Sequence, residues 1–210
     1  MIAGEEQMKI GKPIQIASLT SIPWKNGGGI TRNLAIEPEG ADFDNFLWRL
    51  SFAEINEAGS FSTFPGVDRS ILVWKGNGLL LHSDGGGVFV LNSDTEPHSF
   101  RGEDEIEATL IDGPTIDFNL MVRRGCCTAA VNRYRSEIVI ACGARQAFFL
   151  CAAGSFRLHF LFDQEFHLRS GESLPVSYLR EGVKISPDAT DALMIVALID
   201  WPEPAAATND

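Results

Sequence analysis

Ser70-Ile71-Leu72-Val73-Trp74-Lys75-Gly76-Asn77-Gly78-Leu79-Leu80-Leu81-His82 is the stretch on which the fold class turns. Two apolar runs, each too short for a helix, stop at Gly-Asn-Gly, and Asn-Gly between such runs predicts a tight hairpin joining two strands. A second stretch repeats the layout: Phe148-Phe149-Leu150-Cys151, a turn at Ala153-Gly154-Ser155, then Phe156-Arg157-Leu158-His159. Ile71 to His82 and Phe148 to His159 both span eleven positions. Further on, Phe100-Arg101-Gly102-Glu103 loosely matches Leu168-Arg169-Ser170-Gly171-Glu172. The chain therefore reads as internally duplicated, two similar β units closed as barrels so that few sheet edges stay exposed.

Outward from these runs the pattern stays β. Helical periodicity is scarce, and short segments alternate or remain apolar until Gly, Pro, Asn or Asp ends them. In Phe46-Leu47-Trp48-Arg49-Leu50-Ser51-Phe52 the alternation puts Trp48, Leu50 and Phe52 on a core face, with Arg49 and Ser51 on a polar one. The expected layout is an N-terminal extension over 1–12, a first barrel over 13–125, a second over 126–200, and a tail over 201–210 that frays from Trp201-Pro202 onward. A chain of 210 residues can bury about 70% of its unfolded surface.

Composition removes several function classes. With 45% hydrophobic and 21% charged residues, and no uninterrupted apolar stretch of membrane-spanning length, the protein reads as soluble. Its start, Met1-Ile2-Ala3-Gly4-Glu5-Glu6, lacks the features of a secretory signal, so the cytoplasm is expected. Seventeen basic against twenty-eight acidic side chains give −11, the wrong sign for a nucleic-acid partner. Against that background the cations Lys25, Arg32, Arg49, Arg69, Arg123 and Arg124 stand out as able to focus a small anion. Cys126, Cys127, Cys142 and Cys151 form no C-x-x-C pair, which argues for buried thiols over zinc or a disulfide framework.

The chemistry-bearing segments point to binding. Trp24-Lys25-Asn26-Gly27-Gly28-Gly29-Ile30-Thr31-Arg32 reads either as a backbone concavity for an anion, flanked by Lys25 and Arg32, or as a plain glycine turn. Phe61-Ser62-Thr63-Phe64-Pro65-Gly66-Val67-Asp68-Arg69 offers aromatic walls and an arginine whose planar fork suits a carboxylate, unless Asp68 pins it as an ion pair. Asn119, in Asp117-Phe118-Asn119-Leu120-Met121-Val122-Arg123-Arg124, either orients a ligand or closes a turn. His82, His98, His159 and His167 make no His-x-His pair, so no metal is expected; His98 is the histidine best placed to face a pocket. No nucleophile elbow and no phosphate-loop spacing occur.

In order and spacing, Trp24 to Arg32, Trp48-Arg49-Leu50-Ser51-Phe52-Ala53, Gly59-Ser60 through Arg69, and Asp117 to Gly125 together resemble the HutD/Ves family. The resemblance covers about residues 13 to 200. It implies a bicupin, two cupin-like β-barrels in one chain, in the bacterial cytoplasm. It further implies a regulatory, small-molecule-binding role in histidine utilisation, with urocanate or formylglutamate as ligands, no cofactor, and no firmly assigned reaction. Matched by motif, the pocket residues are Lys25, Asn26, Thr31, Arg49, Ser62, Arg69 and Asn119, with His98 beside them. The alternative is a metal-independent isomerase or hydrolase acting on a small organic acid, with His98 as acid or base. Cupin relatives often dimerise, so a homodimer is allowed, although no segment marks an interface.

Overall fold

The computed structural model describes residues 7–141, 143–161 and 163–202. Cys142, the first half of the expected extension and most of the expected tail lie outside the described residues.

Strands follow one another almost without interruption. β1 (Lys9–Ile10) and β2 (Ile14–Gln15) come first, then β3 (Ser21–Pro23) and β4 (Gly29–Glu37). Eight strands follow: β5 (Trp48–Ile55), β6 (Gly59–Ser60), β7 (Val67–Lys75), β8 (Leu79–Ser83), β9 (Val88–Leu91), β10 (His98–Arg101), β11 (Ile106–Leu110) and β12 (Thr115–Arg123). Eight more complete the fold: β13 (Thr128–Tyr134), β14 (Ile138–Ile140), β15 (Ala144–Ala153), β16 (Ser155–His159), β17 (Glu165–Arg169), β18 (Glu172–Leu179), β19 (Val183–Pro187) and β20 (Leu193–Asp200).

The duplication holds strand for strand. In the first barrel, sheet β10-β7-β12-β5-β4-β3 covers sheet β6-β11-β8-β9; in the second, β18-β15-β20-β13 covers β14-β19-β16-β17. Each of β5 to β12 therefore has its counterpart eight strands later, and every pairing is antiparallel. Within each barrel the two sheets share an apolar core: Ile71, Val73, Leu79, Leu81 and Ile106 in the first, Phe149, Phe156, Leu158, Val176 and Ile185 in the second. The two large sheets then pack on each other, where Trp48, Leu50, Phe52, Leu72 and Trp74 meet Phe148, Leu150, Ile195 and Ile199.

Four expectations need correction. The apolar runs around Gly76-Asn77-Gly78 are not a hairpin, because β7 pairs with β10 and β12 while β8 pairs with β9 and β11. The turn is a corner where the chain leaves one sheet for the other. Gly78 is required there: its φ is +119°, and a Cβ would come within 2.1 Å of the Leu91 carbonyl oxygen. Phe100-Arg101 ends β10, whereas Leu168-Arg169 ends β17, the counterpart of β9, so that loose match joins positions that are not equivalent. β1 and β2 both pair with β18, so residues 9–15 belong to the second barrel's sheet and residue 13 marks no change of sheet. Trp201 does not fray; it is half-buried, with its ring 5.9 Å from Trp48.

Candidate functional site

The side chains that line the first barrel are ordered by register. On the inward face of the large sheet, Phe100, Arg69, Met121, Arg49 and Ile36 form one row across β10, β7, β12, β5 and β4. The next row is His98, Ile71, Asn119, Ser51 and Asn33. A third holds Val73, Asp117, Ala53 and Thr31. Strand alternation puts polar groups on this face at period two, while Trp48, Leu50, Phe52, Phe118 and Leu120 on the opposite face hold the second barrel. Both faces of β5 are therefore buried, and Arg49 and Ser51 turn to the barrel interior instead of to solvent.

Two guanidinium groups dominate the interior. Arg49 and Arg69 are each 6% exposed and flank Met121, about two strand spacings, or ~10 Å, apart. Arg49 gives its Nε–H and one NH2 to Asn33 Oδ1 at 2.9 and 2.5 Å and lies 4.9 Å from the Phe43 ring centroid. Arg69 is less satisfied. One NH1 hydrogen reaches the Ser62 carbonyl at 3.3 Å, the Phe61, Phe64 and Phe100 rings surround it at 5.2, 5.7 and 4.9 Å, and its Nε–H has no partner. Asn119, 7% exposed, likewise leaves Oδ1 without a donor. Burial lowers both guanidinium pKa values to about 10, which keeps both groups charged at neutral pH.

Among the described residues the interior holds one buried carboxylate, Asp117, which accepts the Ala53 backbone N–H at 3.3 Å. Burial pushes its pKa up to about 7, opposed by the fields of Arg69 and Arg49. Near neutrality the three groups therefore sum to between one and two positive charges, unlike the −11 of the whole chain. A cleft of about 880 Å³ wraps edge strand β10. On one side of that strand it is lined by Phe89, His98, Phe100, Ile106 and Arg69; on the other by Leu120, Val122 and Cys127. His98 packs 4.1 Å from Phe89, and burial lowers its pKa, favouring the neutral imidazole.

Of the residues expected in a pocket, Arg49, Arg69, Asn119, His98 and Thr31 share this inward face. Thr31 Oγ1 is engaged by the Trp24 indole N–H at 2.8 Å. Lys25, Asn26 and Ser62 are exposed, and Ser62 contributes its carbonyl, not its hydroxyl, to Arg69. The glycine run is the turn of the β3–β4 hairpin, and two of its amides are spent within it: Gly27 N–H on Trp24 O, Gly28 N–H on Asn26 Oδ1. Gly29 lets β5 approach, since a Cβ there would sit 2.4 Å from the Glu54 oxygen. The Gly27 and Gly28 amides are therefore not available to cradle an anion. Asp68 does not pin Arg69 either; it turns outward and pairs with Arg124 at 2.7 Å. Arg32 pairs with Glu54, and Arg123 reaches the Asp44 and Phe46 carbonyls, so neither joins the site.

Sequence reasoning passed over Asp117, Ser51 and Asn33. The signal for Asp117 was present, two residues before Asn119 on the same alternating strand. Among the described residues no group of three or more His, Cys, Asp or Glu side chains is placed to hold a metal ion. The interior donor set, two guanidinium groups and one carboxylate, repels a cation, so the metal that cupin barrels often carry does not fit these residues. No helix among the described residues is long and apolar enough to cross a membrane.

Known proteins resemble this chain at several levels. The HutD family model matches residues 16–194. An uncharacterized 21.2 kDa protein in the hutC 3' region of Pseudomonas putida is 39% identical over 117 residues, 56% of this chain and 57% of that protein, so little more than half of its length is matched. Protein Ves of Citrobacter koseri is 33% identical over 136 residues, 64% of this chain and 69% of its own. The solved HutD from Pseudomonas fluorescens SBW25 (formate condition) superposes with a TM-score of 0.79 at 25% identity, over 93% of this chain and 100% of that one. Lactobacillus farciminis oxalate decarboxylase, at 7% identity, 91% and 86% coverage and a TM-score of 0.60, shares the cupin fold alone.

Proposed function

The chain belongs to the HutD family, and from that premise and the cationic barrel interior we propose that it binds a compact organic carboxylate and thereby regulates histidine utilisation. The carrying observation is Arg69, buried and charged with a free Nε–H, beside Arg49 and a single buried carboxylate. A carboxylate entering past Phe100 supplies the missing acceptor and offsets the excess positive charge. Urocanate and formylglutamate, acids of the pathway the family name points to, are the ligands of choice. Two or three charge-assisted hydrogen bonds at about 1.5–3 kcal/mol each, less ordering and desolvation, correspond to micromolar to millimolar affinity, which suits a metabolite sensor.

Thermal denaturation with urocanate, formylglutamate, glutamate and formate tests the reading. Ligand at 100 times its dissociation constant adds about 2.7 kcal/mol to stability. Arg69→Ala should abolish that gain while keeping the native circular dichroism; no stabilisation by any of the four acids would refute the proposal.

One observation favours a second reading, a metal-independent isomerase or hydrolase. A buried carboxyl with a pKa of about 7 beside two guanidinium groups is suited to move a proton to or from a bound acid. Turnover of a pathway acid followed by NMR, lost in Asp117→Asn, would establish it.

A further inference from the structure

Arg69 and Asn119 present complementary unmet needs. Arg69 Nε–H is a donor without an acceptor, and Asn119 Oδ1 is an acceptor without a donor. Both side chains are more than nine-tenths buried and point into the same interior. They are diagonal neighbours on β7 and β12, because Met121 pairs with Arg69 and Asn119 with Ile71; such diagonals lie about 7 Å apart. Ile71, on one side of Asn119, has no donor, and Ser51 on the other makes no bond to Oδ1. A plain carboxylate would satisfy Arg69 and leave Asn119 stranded, which is costly for a buried acceptor.

We infer that the site selects carboxylates bearing an N–H or O–H donor a few bonds from the acid, with Asn119 as the specificity-determining residue. The inference rests on the carboxylate reading above and narrows it to bifunctional acids, an acceptor for Arg69 and a donor for Asn119. Acetate, formate and unsubstituted dicarboxylates meet half of the demand. The second barrel has Val196 where the register places Asn119 in the first, so the frame accepts an apolar side chain at this position.

The experiment compares matched pairs by titration calorimetry on the full chain at neutral pH. One pair is urocanate and its oxazole analogue, in which ring oxygen replaces N–H and the second ring nitrogen is kept. The other is formylglutamate and the formate ester of hydroxyglutarate, in which ester oxygen replaces amide N–H. In the native protein the N–H member of each pair should bind about 10- to 100-fold tighter, the effect of leaving one buried acceptor unpaired. Asn119→Val should bring the members within about twofold by weakening the N–H ligand alone, whereas Arg69→Lys should weaken all four. Equal binding within both native pairs overturns the inference and leaves the carboxylate site standing, and that comparison decides even if Asn119→Val does not fold. A preference that survives in a folded Asn119→Val overturns the role of Asn119. Failure of all four ligands overturns the carboxylate reading itself.

Discussion

The two barrels share eight strands in one order and differ in what they enclose. Counting back seven positions from Gly76 and from Gly154, Arg69 of the first corresponds to Ala147 of the second, and the register then sets Asn119 against Val196 and Asp117 against Met194. The second interior is hydrocarbon: Ala147, Phe149, Cys151, Leu174, Val176, Met194 and Val196 are each 1% exposed or less. It shows that this strand frame needs no polar interior to close. Buried charge costs several kcal/mol per ion unless paired and hydrogen-bonded, so the first barrel carries a cost that its architecture does not impose. That difference is the physical ground on which the proposed binding site is sought in the first barrel.

Exchanging the interiors is the harshest way to break the comparison. Ala147→Arg buries an unpaired guanidinium among Phe149, Val176 and Leu198, with Met194 at the register position of Asp117, whose field supports Arg69 in the first barrel. We expect a loss above about 4 kcal/mol in urea denaturation, enough to unfold a marginal domain. A loss under about 1 kcal/mol would mean that the second barrel tolerates charge as readily as the first, and the contrast would lose its meaning.

A milder test uses pH. The Asp117 pKa is raised to about 7 in the folded chain, against about 3.9 unfolded. Between those values the native state holds a proton that the unfolded state has lost, so this group's contribution to stability falls as pH rises from about 4 to about 7 and is constant outside that window. The slope approaches about 1.4 kcal/mol per pH unit where the native state is protonated and the unfolded state is not. Glu103, held low by its hydrogen bonds from Arg124, changes in the opposite sense at acid pH, so the difference between Asp117→Asn and native protein isolates the effect. Relative to native, the variant should gain stability across the window and plateau above it. No change in that difference from pH 4 to 7 would show that Asp117 titrates as an ordinary carboxyl. The second barrel, with Met194 at this register, offers no such titration.

Sequence alone reached the duplicated all-β plan because alternation and glycine punctuation are local signals, repeated at matching intervals around Gly76-Asn77-Gly78 and Gly154. Local signals could not distinguish a hairpin from a corner, since Gly-Asn-Gly serves both. The decision lies with β10 and β12, which capture β7 from far along the chain. The site was legible in the same partial way. Arg49, Arg69 and Asn119 stand on strands at alternating positions, so their common face follows from pairing. Whether that face meets water or a barrel interior depends on β8 and β11 closing over it, which no window around Arg49 records. Lys25 and Asn26 drew attention through the glycine run, whose composition suits an anion loop and a hairpin turn equally.

Lys25 therefore provides the smallest and sharpest test of where binding resides. Its side chain is exposed on the β3–β4 turn, and the amides of Gly27 and Gly28 beside it are already hydrogen-bonded within that turn. An exposed ammonium outside the barrel acts on an interior ligand only through solvent, and at physiological ionic strength such fields decay over about 8 Å. Lys25→Ala should accordingly change carboxylate affinity by less than about twofold in the same calorimetric titration, with a weak dependence on salt. A tenfold loss would move the binding site from the barrel interior to the glycine turn. The two barrels would then differ only in how they are filled, and the cost of burying Arg49 and Arg69 would need another explanation.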